Sequence, residues 1–172
     1  MLPARLFVFC IYSICAMKFP AAAAISSHFT NEILQTYWEE VCCQESGPAD
    51  YLQIGCPNCS AEELIRIWRY MNGRKVKEGV RFCVYTNIAQ YAMAEQSHII
   101  QDLKDWGVEI LTSGCILRTI NVAKGAKSIG LSSFKLCNGS KDERSCPIYY
   151  GSDEQVIDAA ISGYWEVRRR YE

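Results

Sequence analysis

Apolar positions recur along this chain in two alternating periods. A cap at Thr30-Asn31 predicts a helix over Glu32–Glu40, with Ile33, Leu34, Tyr37 and Trp38 at spacings that share one face. Ser46-Gly47-Pro48 breaks it, and Tyr51–Ile54 reads as a short strand. Ser60 with Glu63 three residues on is a capping-box pattern. The helix it opens carries Leu64, Ile67, Trp68 and Met71 on one face and stops at Asn72-Gly73. Gly79–Tyr85, rich in β-formers, predicts a strand, followed by a helix over about Ile88–Trp106 that Gly107 ends. Val108–Leu111, Lys127–Ser133 and Ile148–Tyr150 are further strand candidates. The last helix is expected from Ser152 or Asp153 to Arg169, with Ser152 and Gln155 as a second capping box.

Strands alternating with helices argue for a three-layer α/β architecture, a largely parallel sheet flanked by helices. In such sheets chemistry gathers in the loops beyond the carboxyl ends of the strands. The loops of interest are therefore Gly55–Ser60, Thr86-Asn87 and Thr112–Cys115.

Composition narrows the possibilities. A chain of 172 residues, 49% hydrophobic and 22% charged, is long enough for one domain with a real core and is not a disordered tail. The formal net charge of −1 excludes a nucleic-acid binder driven by bulk charge. No stretch after residue 25 approaches the roughly 20 apolar residues of a membrane span. Residues 1–25 stand apart. Arg5, the apolar run Leu6–Met17 and the small residues Ala21–Ala24 read as a signal-like or disordered lead, so that residues 26–172 form the domain. A working signal would imply a secretory or organellar location. Two sequons, Asn58-Cys59-Ser60 and Asn138-Gly139-Ser140, favour secretion only mildly.

The 10 cysteines are too few for a disulfide scaffold, which takes roughly 8–10% of a chain, and invite other uses. Cys10 and Cys15 belong to the lead, Cys42-Cys43 reads as partly buried thiols, and Cys83 as a small buried hydrophobe. Cys137 and Cys146 flank a loop and would suit a disulfide in an oxidising compartment. Cys56-Pro57-Asn58-Cys59 admits a redox pair or an iron–sulfur ligand. Zinc is not expected, because there is no second Cys-x-x-Cys and His28 and His98 are isolated. Cys115, after the third strand, would point its thiol into the same crevice as Cys56.

These local patterns line up with one family. Ile54-Gly55-Cys56-Pro57-Asn58-Cys59-Ser60-Ala61-Glu62-Glu63-Leu64 resembles the Gly-Cys-Pro-His-x-Ser-x-x-Glu-Leu segment of aconitase X. Gly73-Arg74-Lys75-Val76 follows at the family's distance. Gly107-Val108-Glu109-Ile110 then precedes Cys115, which falls where the family has Asp-Thr-Cys. Ser133-Phe134-Lys135 lies near its Ser-x-Lys, with Lys141 as an alternative match for the lysine. Tyr150-Gly151-Ser152, Ala159-Ala160 and Gly163 resemble its closing segment. The set covers about Tyr51–Tyr164 and resembles the C-terminal part of the family's catalytic or large subunit. Asn58 stands where the family has His, and Ser113-Gly114 where it has Asp-Thr.

The resemblance implies an aconitase-like α/β domain, a cytoplasmic location and a hydro-lyase that removes water from a small hydroxy acid, a class that includes cis-3-hydroxy-L-proline and mevalonate 5-phosphate. It implies an iron–sulfur cluster held by three cysteines, its open iron acting as a Lewis acid. Cys56 and Cys115 would be ligands to this metal cofactor. The third ligand is not identified, with Cys59 or Cys137 as substitutes. Ser133 and Lys135 would face the substrate as catalytic residues, Lys135 pairing with its carboxylate or phosphate. A small swivel-type subunit or domain is an expected partner, and the isolated chain would be inactive until missing parts complete it. Two other readings stand beside this one, a non-catalytic structural module and a thiol–disulfide protein using Cys56 and Cys59. Surface that a longer enzyme would bury is expected among Trp38, Tyr51, Trp68, Tyr70 and Trp165.

Overall fold

A computed structural model describes Thr36 and residues 39–43, 45–112, 123, 125–141 and 146–167. The chain divides into two compact units, 1–37 and 38–172, and the fold below belongs to the second. The helix expected over Glu32–Glu40 lies largely outside the described residues, as do Trp38 and Cys115.

In chain order the elements are β1 (Gly47–Pro48), β2 (Tyr51–Cys59), α1 (Ala61–Met71), β3 (Arg81–Thr86), α2 (Ile88–Glu95), α3 (Ile99–Asp105), β4 (Val108–Leu111), β5 (Ile129–Leu131), α4 (Phe134–Lys141), β6 (Ile148–Tyr150), α5 (Asp153–Ser162) and β7 (Tyr164–Trp165). Five strands form one sheet in the order β4-β3-β2-β5-β6, and every neighbouring pair is parallel. The chain builds outward through β2, β3 and β4, then returns to the other side of β2 for β5 and β6. The strand order therefore reverses between β2 and β5. A separate antiparallel ribbon joins β1 to β7, with Gly47 opposite Trp165 and Pro48 opposite Tyr164.

One face of the sheet carries the main core. Leu52, Ile54, Phe82, Val84 and Val108 meet Leu64, Ile67 and Met71 of α1, Ile99, Ile100 and Leu103 of α3, and Val156, Ile157 and Ala160 of α5. Burying each large apolar side chain stabilises the fold by roughly 1.5–3 kcal/mol before entropy is counted. α4 packs on β5 and β6. Phe134 meets Tyr150 edge-on, while the adjacent Tyr149 stacks on Trp165 within the main core, so α4 lies on the opposite face. Helices thus flank a parallel sheet, as the alternation predicts.

Both capping boxes form. The Ser60 hydroxyl accepts from the Glu63 N–H and that of Ser152 from the Gln155 N–H, and each N3 side chain answers the cap's own N–H. Several boundaries differ from expectation. β2 runs past Ile54 to Cys59 through a bulge, because Cys59 returns to pair with Thr86. The expected helix over Ile88–Trp106 is two helices, broken at His98, which adopts a left-handed φ of 59°. Phe134–Lys141 is a helix where the sequence suggested a loop; burial of Leu136 and Cys137 outweighs its Asn-Gly-Ser turn formers. The last helix stops at Ser162 rather than Arg169, because Gly163 takes a left-handed cap (φ 72°) and donates to the Ala159 carbonyl. The chain then turns back so that Trp165 is only 2% exposed.

The expected exposed aromatics are mostly inside. Tyr51 and Trp165 are buried, and Trp68 packs against the core and stacks on Trp106. Tyr70 is exposed, its hydroxyl hydrogen-bonded to Asp158. Among the described residues no helix is long and apolar enough to cross a membrane.

Candidate functional site at the carboxyl edge of the sheet

Where strand order reverses in a parallel sheet, the connections leave neighbouring strands toward opposite faces and open a crevice at the carboxyl edge. Here that crevice lies beyond β2 and β5. Their register pairs Tyr51 with Ile129, Leu52 with Gly130 and Gln53 with Leu131. The residues that follow, Ile54–Cys56 and Ser132–Ser133, leave the same edge side by side.

Cys56 sits at this edge, half-buried, in the bulged part of β2. Ser133 closes the turn into α4, its carbonyl accepting from the backbone N–H groups of Leu136 and Cys137 at 3.1 and 3.2 Å. Lys135 follows in the first turn of α4 and is exposed. A cation there runs against the helix dipole, whose N-terminal end is already positive. The two together attract an anion to the edge. The structure thus brings Cys56, Ser133 and Lys135 to one edge. It does not describe Cys115.

Two carboxyl groups missed by sequence reasoning face the same edge. Asp153 opens α5, and burial raises its pKa. The nearby carboxylates Glu154 and Glu63 raise it further, against the lowering effects of a Ser132 hydrogen bond and Arg66. Glu63 of α1 caps Ser60, its Oε2 accepting from the Ser60 N–H at 2.8 Å and hydroxyl at 2.9 Å. The sequence signal for Asp153 was its place at the start of a capped helix, and Glu63 carried both a capping box and the match to the family's Glu-Leu.

Other thiols take different roles. Cys59 is buried, and burial, Glu63 and Asp153 push its pKa up to about 12, the reverse of the lowered thiol a redox Cys-x-x-Cys uses. Cys137 and Cys146 are free rather than bonded to each other. Cys137 is fully buried and faces Cys42, and that burial raises its pKa. Cys83 is buried as expected, its Sγ 3.7 Å from Glu109, with a pKa of about 11. Among the described residues no three His, Cys, Asp or Glu side chains are grouped to hold a metal ion. A groove lined by Trp68, Arg69, Asn72, Gly73 and Trp106 opens at the opposite, amino-terminal edge, away from these residues.

The fold is a doubly wound parallel α/β domain with its switch point between β2 and β5. Comparison with known proteins makes this specific. Residues 49–162 match the aconitase X third domain, well over half of the chain, so the chain belongs to the aconitase X family. It is 28% identical over 138 residues to the cis-3-hydroxy-L-proline dehydratase of Hypocrea jecorina (strain QM6a), across 78% of this chain and 23% of that protein. It is 31% identical over 68 residues to the phosphomevalonate dehydratase large subunit of Aeropyrum pernix, across 40% of this chain and 17% of that subunit. The holo-form of Thermococcus kodakaraensis aconitase X shares the fold, with a TM-score of 0.61 and 19% identity over 75% of this chain and 33% of that one. The chain thus spans about a quarter or less of the length of the curated relatives it matches.

Proposed function

We propose that this chain is the third-domain part of a hydro-lyase that dehydrates a small hydroxy acid. The observation that carries this reading is the switch-point edge, where the N-terminal end of α4 with Lys135 and Ser133 emerges beside Cys56. A hydroxy-acid substrate brings a carboxylate, and in some cases a phosphate, that such an edge would hold. In this reading Lys135 binds that anion and Ser133 hydrogen-bonds the substrate. Dehydration also requires a proton taken from the adjacent carbon and given to the leaving hydroxyl. Asp153, whose pKa burial raises, is a carboxyl at this edge suited to holding a proton. Cys56 and Cys115 are this chain's candidate thiolates for an iron–sulfur cluster, whose chemistry would be Lewis-acid polarisation of the substrate. At least one further ligand would come from polypeptide outside this chain.

The test is anaerobic co-expression with the first two domains of an aconitase X catalytic chain and a small subunit. Iron and sulfide are then measured, and dehydration of cis-3-hydroxy-L-proline and mevalonate 5-phosphate assayed. Lys135→Ala is expected to raise KM by roughly tenfold or more with a smaller effect on kcat, about 1.5–3 kcal/mol for a charge-assisted contact. Colourless, iron-free protein without dehydratase activity refutes the reading. The replacements Asn58 for His and Ser113-Gly114 for Asp-Thr favour one alternative, a domain that keeps the fold without turnover. That alternative predicts that Cys56→Ala and Lys135→Ala alter no activity.

A further inference from the structure

Helix α2 has its polarity turned outward. Of its eight residues only Ala94 is buried. Ile88 is 69% exposed and Met93 59% exposed, and both Ala89 and Ala92 are exposed. Spaced i, i+1, i+4 and i+5, these four form one continuous apolar stripe on the solvent side. Two of its polar side chains, Gln90 and Tyr91, bond within the domain, and Glu95 is exposed in its last turn. Gln90 is half-buried, its Oε1 accepting from the Ala61 N–H at 2.7 Å. The Tyr91 hydroxyl accepts from Lys104 Nζ at 2.8 Å. α1, by contrast, shows Glu62, Arg66 and Arg69 to water. α2 is thus anchored on one side and bare on the other, and its apolar stripe is not needed by this domain's core.

Position says what covers it. α2 begins at Asn87, directly beyond the carboxyl end of β3, and is tied through Gln90 to the start of α1. The stripe therefore borders the edge from which Cys56, Ser133 and Lys135 emerge. Four side chains form a patch well short of the roughly 800 Å² per partner of a stable dimer, so a second copy is a poor fit. As part of a wider domain contact of roughly 600–1,500 Å² the stripe fits well. The matched region is a third domain, and it accounts for 23% of the fungal dehydratase and 33% of the archaeal aconitase X chain. The larger part of a catalytic chain is thus the natural cover for a face beside the site.

We propose that the Ile88–Ala89–Ala92–Met93 face of α2 is the surface on which the first two domains of an aconitase X catalytic chain dock against this domain. This rests on the reading of the chain as the third domain of such a unit. Docking buries Ile88 and Met93 and walls the carboxyl edge on the α2 side.

The test mixes the purified chain with the first two domains of the Hypocrea jecorina dehydratase, made as a separate polypeptide. That enzyme's own third domain serves as the binding control. Binding is followed by calorimetry, and amide exchange over residues 87–95 reports where contact occurs. The expected result is a complex that protects α2 and weakens at least tenfold in Ile88→Glu and in Met93→Glu. Because both side chains are exposed, melting of the free domain should not move. Three results overturn the proposal: no complex when the control binds, equal affinity for the glutamate variants, or self-association that those variants abolish. A complex that forms through α2 but holds no iron and turns over no hydroxy acid sinks the proposed activity and leaves the docking face standing.

Discussion

Replacing Gly55 by alanine tests whether the site edge is built as described. Gly55 has φ of +108°, and a Cβ there would collide with the Tyr85 carbonyl oxygen and lie 3.1 Å from Tyr85 C and Cβ. Two costs follow. An L-residue forced into left-handed space loses roughly 1–2 kcal/mol. The contact with Tyr85 is to backbone, which no rotamer change can move aside, and overpacking of this kind costs roughly 1–3 kcal/mol. Gly55→Ala should therefore destabilise by about 2–5 kcal/mol. Gly79 separates the two effects, since its φ is +84° with nothing within 4 Å of a Cβ. Gly79→Ala should lose only the conformational part, about 1–2 kcal/mol. At roughly 2–4 °C per kcal/mol for a chain of this size, Gly55→Ala should melt about 4–20 °C below wild type. Urea and thermal denaturation followed by far-UV circular dichroism measure both variants. Equal losses for Gly55→Ala and Gly79→Ala would refute the close approach of β2 to Tyr85 at the bulge that presents Cys56.

Asp153 should leave a pH signature. Its folded pKa lies above the ordinary carboxylate value, so the native state holds the proton more tightly than the unfolded chain, and its contribution to stability declines as pH rises through that interval. The stability of Asp153→Asn minus that of wild type should therefore grow from about pH 3 to pH 7, and a flat or reversed difference by urea titration would contradict the burial. The thiols should separate by reactivity: with Cys59 buried and its pKa pushed up to about 12, iodoacetamide at pH 8 should label half-buried Cys56 in the native protein and reach Cys59 only on unfolding. Mass spectrometry showing both labelled at one rate would overturn that assignment.

What the sequence made legible was what neighbouring residues decide among themselves. The Ser60–Glu63 and Ser152–Gln155 boxes lie within one turn, and β4 starts and ends where its pattern says. The misread boundaries depend on distant partners. Cys59 rejoins the sheet because Thr86 is across from it, and α4 forms over turn-prone residues because Leu136 and Cys137 have a sheet to cover. Gly163 ends α5 so that Tyr164–Trp165 can pair with Gly47–Pro48, more than a hundred residues earlier. The candidate site divided in the same way. The family resemblance pointed to Cys56, Ser133 and Lys135, but strand order alone puts them on one edge, and no local pattern gives strand order. Asp153 escaped notice because its environment is assembled from α1, β5 and α5.

The environments of the thiols also decide which one matters. Cys59, Cys83 and Cys137 are buried, each with a pKa raised chiefly by that burial. Their neighbours are carboxylates for the first two and another thiol for the third, so none is set up as an exposed thiolate. Three described cysteines are half-exposed: Cys43, Cys56 and Cys146. Cys43 and Cys146 lie near the amino-terminal start of β6, where the Cys43 N–H donates to the Ile148 carbonyl at 2.7 Å. That is the edge opposite the switch point. Cys56 alone among the described thiols combines accessibility with the carboxyl edge. An open thiol there, beside an exposed lysine at a helix N-terminus, is an arrangement the core does not require. Its cost in local backbone, a bulge built around a glycine that approaches Tyr85 too closely for any side chain, is the strongest sign that the edge is shaped for something other than stability.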